Sequence, residues 1–190
     1  MLKKLSILAF ASVIGFAQSC SYDMDKSSFD MKWGAFKFQS KAKVSGTFNE
    51  YKLEATKSDS LKKLLDSSKI VIDTKSVNTK HETRDKTIFD NFFALFSSKD
   101  IKANISDSIE GKNSGTINLN LDMNKKSSIV PMSYKIENGK LTATGVTDLN
   151  IFDLSGALAS INKACYALHQ GVTWSQVELE FSVKVNKECK

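Results

Sequence analysis

The sequence predicts a mainly-β fold of about eight antiparallel strands broken by two helical segments, and three observations predict it. Apolar and polar residues alternate with period two in several stretches, as they do in strands with one buried and one wet face. Asn113-Ser114-Gly115 and Asn138-Gly139 lie between such stretches and carry hairpin chemistry. Helical spacing of three and four residues is confined to two regions. Strands of this kind close as a sandwich or as a barrel, and closure removes exposed edges. Alternation alone does not choose between the two.

Composition agrees with one globular domain. The chain has 190 residues, 41% hydrophobic and 25% charged, which is long enough for a sizeable core. Nine Gly and one Pro exclude collagen-like and Pro-rich architectures, and 12 Phe argue against disorder. A net charge of +6, spread evenly and with Arg84 as the sole arginine, excludes a nucleic-acid-binding surface built on bidentate Arg contacts.

Met1–Ser19 reads as a signal peptide: Lys3 and Lys4, an apolar run from Leu5 to Ala17, then small residues. Removing it lowers the net charge by two and directs the chain out of the cytoplasm. Ala17-Gln18-Ser19 before Cys20 loosely matches a bacterial lipoprotein signal, and lipidation of Cys20 is the expectation. Cleavage by a general signal peptidase at the same place stays open. A polar stretch, residues 20–28, suits a short tether, leaving 29–190 as the domain. Three cysteines in an exported chain leave one over. With Cys20 lipidated, Cys165 and Cys189 remain for a bridge, which the place of Cys165 on an apolar helix stripe opposes.

The strands follow in order. Short alternations occur at 36–38, 44–48 and 70–74, with a helical turn at 60–67 linking two of them. Longer ones are 101–109, 116–123, 130–136, 141–146 and 177–185. In 116–123 Ile117, Leu119, Leu121 and Met123 share one face; in 177–185 Val177, Leu179, Phe181, Val183 and Val185 do. The first helical segment runs from Thr83 to Phe96, with Thr83 as cap and Asp85 facing the helix dipole. Its phenylalanines suit a core or a cavity wall better than a membrane, since no lysine-rich polar face accompanies them. The second runs from Asp153 to Gly171, with Leu154, Leu158, Ile161, Cys165 and Leu168 on one stripe. Asp153 or Ser155 is its N-cap candidate, and Gly171 its stop.

Chemistry is scarce. No phosphate loop, HExxH, CxxC or GxSxG motif occurs, and the chain has two histidines. Cys165 and His169 share a helix face at i and i+4, yet no third ligand or orienting carboxylate accompanies them. The expectation is no enzyme, no catalytic residue, no metal and no cofactor.

WGAFKF (33–38), VSGTFNE (44–50), VIDTKSVNT (71–79), RDKTIFDNFF (84–93) and LTATGVTDL (141–149) stand in the order found in the YceI-like family. ALASINKACYALHQGVTWSQVELEF (157–181) resembles a lipoprotein-type branch of it. The resemblance covers roughly residues 30–185. It implies a single eight-stranded antiparallel lipocalin-like barrel with two helical insertions, whose apolar interior holds a long isoprenoid, quinone or fatty chain. It further implies an exported, periplasmic protein, anchored to a Gram-negative-type envelope if Cys20 is modified. Thr87 replaces a His that many relatives carry, which leaves the headgroup preference open. The walls expected on this basis are Trp33, Phe36, Phe38, Phe48, Ile72, Phe92, Phe93, Leu119, Leu121, Leu179 and Phe181, with Arg84 able to meet an anionic headgroup. Trp33 and the pair Phe36/Phe38 have opposite parity, so a shared cavity requires a bulge. Gly46, Ala103, Ala143 and Gly145 are small and favour a void over the alternative, an envelope interaction lipoprotein with a fully packed, ligand-free barrel.

Overall fold

The computed structural model describes residues 19–190, so the signal-peptide reading of 1–19 falls almost wholly outside the described residues. Ten antiparallel strands form one curled sheet: β1 (Cys20–Lys37), β2 (Ala42–Phe48), β3 (Tyr51–Glu54), β4 (Lys69–Asp73), β5 (Val77–Asn78), β6 (Asp100–Glu110), β7 (Ser114–Met123), β8 (Lys126–Glu137), β9 (Lys140–Asp148) and β10 (Thr173–Cys189). Their order is β3-β4-β6-β7-β8-β9-β10-β1-β2-β5. The helices are α1 (Leu61–Asp66), α2 (Glu82–Asn91), α3 (Ser155–Ala164) and α4 (Tyr166–His169). Eight strands were expected; the two further ones, β3 and β5, are the sheet's edges, four and two residues long. So short a strand shows no periodicity to read.

The sheet curls because its two ends are drawn together. Phe29 of β1 packs edge-on against Tyr51 of β3, with ring centroids 5.3 Å apart. The Tyr22–Ser58 bridge pins the chain before α1 to β1. Helix α1 forms as its cap dictates: the Ser60 side chain accepts from the Lys63 N–H, and Leu61, Leu64 and Leu65 turn inward. With Ile117, Tyr134 and Leu141, also buried, they fill one end of the barrel.

The tether expected at 20–28 is instead the first half of β1, paired with β10 from Cys20↔Cys189 to Asp25↔Lys184. The register then slips before Asp30↔Ser182. The looped-out residues bond among themselves: Asp25 Oδ1 accepts from the Ser27 amide and hydroxyl, and Ser28 Oγ donates to the Asp25 carbonyl. Such a bulge exchanges inward and outward parity. Met24 faces inward before it, and Met31 and Trp33 after it. A polar stretch with an interrupted period reads as linker in sequence and is strand in the fold.

The cysteine pairing is not the one weighed from the sequence. Cys20 and Cys189 form a disulfide joining the two ends of the paired strands, and Cys165 is free. The bridge uses the sulfur that lipidation would consume, so the pairing and an acylated Cys20 exclude one another. The Cys165–Cys189 bridge does not form. Cys165 sits at the end of α3 near the opposite end of β10, whose first residue is Thr173.

Both predicted helical segments exist, in shorter pieces. Residues 83–96 become α2 and a 3-10 turn at Phe93–Leu95. The N-cap of α2 is His81, whose Nδ1 accepts from the Arg84 N–H, and not Thr83. Residues 153–171 become α3 and α4, with a break at Cys165. Neither Asp153 nor Ser155 caps α3: Leu154 holds that position without a side-chain bond, because Asp153 is left-handed, φ 56°. Gly171 ends the segment at φ +77°, as a glycine stop requires. The hairpin signal at Asn138-Gly139 is the β8–β9 turn, with both residues at positive φ. Asn124-Lys125 makes the same turn between β7 and β8.

Candidate functional site

The upper part of the barrel is open inside. A cavity of about 500 Å3 lies between the sheet and α2, α3 and α4, within the range of ~300–1,000 Å3 typical of small-molecule sites. Every second residue of β7 from Leu119 to Met123 and of β10 from Val177 to Val183 reaches it, which is the pleat at work. Ile117, Tyr134 and Leu141 lie below and do not line it. The cavity is therefore blind at the α1 end.

The structure brings Trp33, Phe36, Phe48, Ile72, Arg84, Phe92, Phe93, Leu119, Leu121, Leu179 and Phe181 to this one cavity. Phe38 is not among its walls. The chain leaves β1 there with φ 62°, and the Phe38 carbonyl accepts the Trp174 indole N–H at 2.7 Å. Phe36 joins Trp33 despite its parity, beside a register slip between Ala35 and Lys37 against β10. Phe48, Phe92, Phe93 and Phe96 pack edge to face, with neighbouring centroids 5.1–5.6 Å apart, a geometry that rings favour. Sequence reasoning missed Met24, Phe29 and Met31, which the β1 bulge turns inward, and Trp174, Leu168 and Thr173 at the opposite end.

Of the four small residues expected to leave room, only Ala103 lines the cavity. Gly46 instead receives the Trp33 ring: a Cβ there would stand 2.3 Å from the indole. At Gly145 a Cβ would meet Met132 Cγ at 2.7 Å. Gly46→Ala must push Trp33 towards the void. The expected cost is about 1–3 kcal/mol of stability, read as a lower urea midpoint; an unchanged midpoint would show that the ring moves freely.

The polar end of the cavity is built by α2. Arg84 Nε donates to Thr79 Oγ1 at 2.8 Å and Nη2 to the Thr79 carbonyl at 3.1 Å. Asp85 accepts from the Thr79 amide at 2.7 Å and from its hydroxyl. The guanidinium is thus fixed at the cavity edge while remaining exposed. Thr87, beside it, donates its hydroxyl to the Thr83 carbonyl at 2.8 Å.

Cys165 and His169 also line the cavity but do not pair side chain to side chain. The His169 ring shares a 2.8 Å bond with Thr173 Oγ1, which donates in turn to Asn162. Burial pushes the Cys165 thiol up, opposed in part by Lys37, so the thiolate needed for nucleophilic work is disfavoured. Among the described residues no group of three His, Cys, Asp or Glu is placed to hold a metal.

Burial, and next the Lys37 charge, hold the His169 imidazole below its ordinary value. Between that lowered value and the ordinary one near 6.5, the unfolded chain binds more protons than the folded one. This contribution to stability is complete above about pH 6.5 and falls as the pH drops through the window. His169→Gln is expected to flatten the loss of stability between about pH 7 and pH 5. A slope equal to that of the parent chain would contradict the assignment.

The fold is shared with solved structures. A polyisoprenoid binding domain from Saccharophagus degradans is 12% identical, with 87% of this chain and 97% of that one covered at a TM-score of 0.61. BcnA from Burkholderia cenocepacia is 13% identical, with 86% and 99% covered at 0.60. A YCEI protein from Campylobacter jejuni is 15% identical, with 100% and 99% covered at 0.55. No curated protein matches. The model of the YceI-like domain matches residues 21–185, which is nearly the whole described chain, and the protein belongs to the YceI-like family.

Proposed function

We propose that this protein is an exported lipid-chain binding protein, a carrier or sensor that holds an isoprenoid, quinone or fatty chain in its barrel. The observation that carries the reading is the blind apolar cavity, walled by aromatic and aliphatic side chains and edged by a fixed Arg84. Removing an apolar chain from water gains about 25 cal/mol per Å2, so binding needs no charged contact within the walls. A void of this size argues against the packed, ligand-free alternative. The polyisoprenoid binding domain of Saccharophagus degradans, alike in fold, supports the ligand class.

Export has its own support. A disulfide between Cys20 and Cys189 persists in an oxidising compartment such as the periplasm. Among the described residues no helix is long and apolar enough to cross a membrane. The reading is of a binding protein without cofactor, and among the described residues no three His, Cys, Asp or Glu are grouped to hold a metal.

Native mass spectrometry of protein taken gently from its own envelope tests the reading. An adduct of discrete lipid mass, exchangeable for polyprenyl or quinone probes, is expected. An apo-only spectrum together with no probe uptake would end it.

A further inference from the structure

The end of the barrel where α4 meets the β1–β2 turn carries features that chain binding alone does not need. Leu168 is 70% exposed although it also lines the cavity, and its neighbour Tyr166 is 64% exposed. Ala164 and Ala167 are exposed beside them. Across the rim Trp174 is tied to Phe38 by the indole hydrogen bond. Lysines overlie these rings: Lys41 Nζ stands 4.4 Å from the Trp174 centroid and Lys37 Nζ 4.8 Å from that of Phe38. Among the described residues Lys37, Lys41 and Lys163 pair with no carboxylate.

Charge is distributed to match. Residues 31–49 and 154–177, which supply this rim, contain no Asp or Glu in a chain that has 21. The carboxylate that β9 brings nearby, Asp148, is engaged: it accepts from the Asn150 N–H and the Ser175 hydroxyl. An apolar tip ringed by Tyr, Trp and lysines, next to the opening of an apolar cavity, has the composition of a surface that enters the headgroup layer of a bilayer. A second copy of the chain is a poor fit, because two such rims would face each other with like charge.

We propose that this rim docks transiently on an anionic phospholipid surface, with Leu168 and Tyr166 entering the interface and Lys37, Lys41 and Lys163 meeting lipid phosphates. The inference rests on the chain-binding reading, for which docking places the cavity opening against the membrane.

Co-sedimentation of the chain from Cys20 with vesicles tests it. The vesicles are pure phosphatidylcholine, or phosphatidylcholine with phosphatidylglycerol at roughly a third, a strongly anionic surface. Binding to the anionic vesicles is expected, weakened by raising salt from about 0.05 to 0.5 M. The triple variant Lys37→Gln/Lys41→Gln/Lys163→Gln should lose roughly tenfold or more in partition coefficient. Tyr166→Ser/Leu168→Ser should lose a similar factor while retaining the parent's near-ultraviolet circular dichroism. No vesicle binding, salt-insensitive binding, or equal binding by both variants overturns the proposal. So does a concentration-dependent dimer that Tyr166→Ser/Leu168→Ser abolishes, which would make a second copy the occupant. The readout is protein on vesicles, independent of lipid mass in the cavity, so the failure of docking and the failure of chain binding are told apart.

Discussion

Cys20→Ser is expected to lower the thermal midpoint by roughly 10 °C or more, and reducing the parent chain should do the same. The disulfide closes a loop with a sequence separation of 169, among the longest this chain permits. In the chain-entropy model so long a loop is worth about 5 kcal/mol, and losses of about 2–5 kcal/mol are usual when a native bridge is removed. The effect should fall on the first half of β1, which has only β10 and the Ser58 bridge as pairing partners. Hydrogen exchange of residues 20–25 would rise before that of β7 or β8. Intact-mass analysis decides the premise: an acylated Cys20 removes the bridge, and then neither substitution nor reduction should shift the midpoint.

Leu121→Asp is expected to prevent folding. Leu121 is 6% exposed at the cavity wall, between Ala103 of β6 and Ser128 of β8, neither of which carries a charge. An unpaired carboxylate there costs several kcal/mol, comparable with the whole stability of a domain. Glu180→Gln is the control, on the opposite parity to Leu179 and Phe181 of another wall strand, β10. Its carboxylate is 43% exposed and stands 3.7 Å from Lys32, a pair worth about 0–1 kcal/mol at most. Circular dichroism and yield of soluble protein read both. A folded Leu121→Asp, or an unfolded Glu180→Gln, would mean that the strand faces are misassigned.

These two substitutions also mark how far the sequence could be read. Leu121 and Glu180 lie in uninterrupted alternations, where period two gives strand, face and cavity wall together. The helical stripes were legible for the same reason, although not the break at Cys165, which follows no Gly or Pro. The first half of β1 was illegible because its bulge resets the period within a polar stretch, so that Met24 and Met31 belong to one cavity from opposite parities. The pairing of Cys20 with Cys189 depends on that missed strand and could not be reached without it. Phe38 failed as a wall for a backbone reason, its left-handed φ at the strand's end. Barrel over sandwich came from family resemblance and not from alternation.

The floor laid by Leu61, Leu64 and Leu65 has a consequence for which chains the barrel can hold. From Thr173 to Val183, ten steps along β10, is roughly 33 Å of strand, and below it the interior is solid. A cavity closed at one end is a ruler. Chains up to its depth can be swallowed whole, whereas each further unit of a longer homologue must stay outside and add nothing to the affinity. Across a homologous series, binding strength should climb with length and then level off at one value. Trimming the floor, as Leu64→Ala would, should move that plateau towards longer chains.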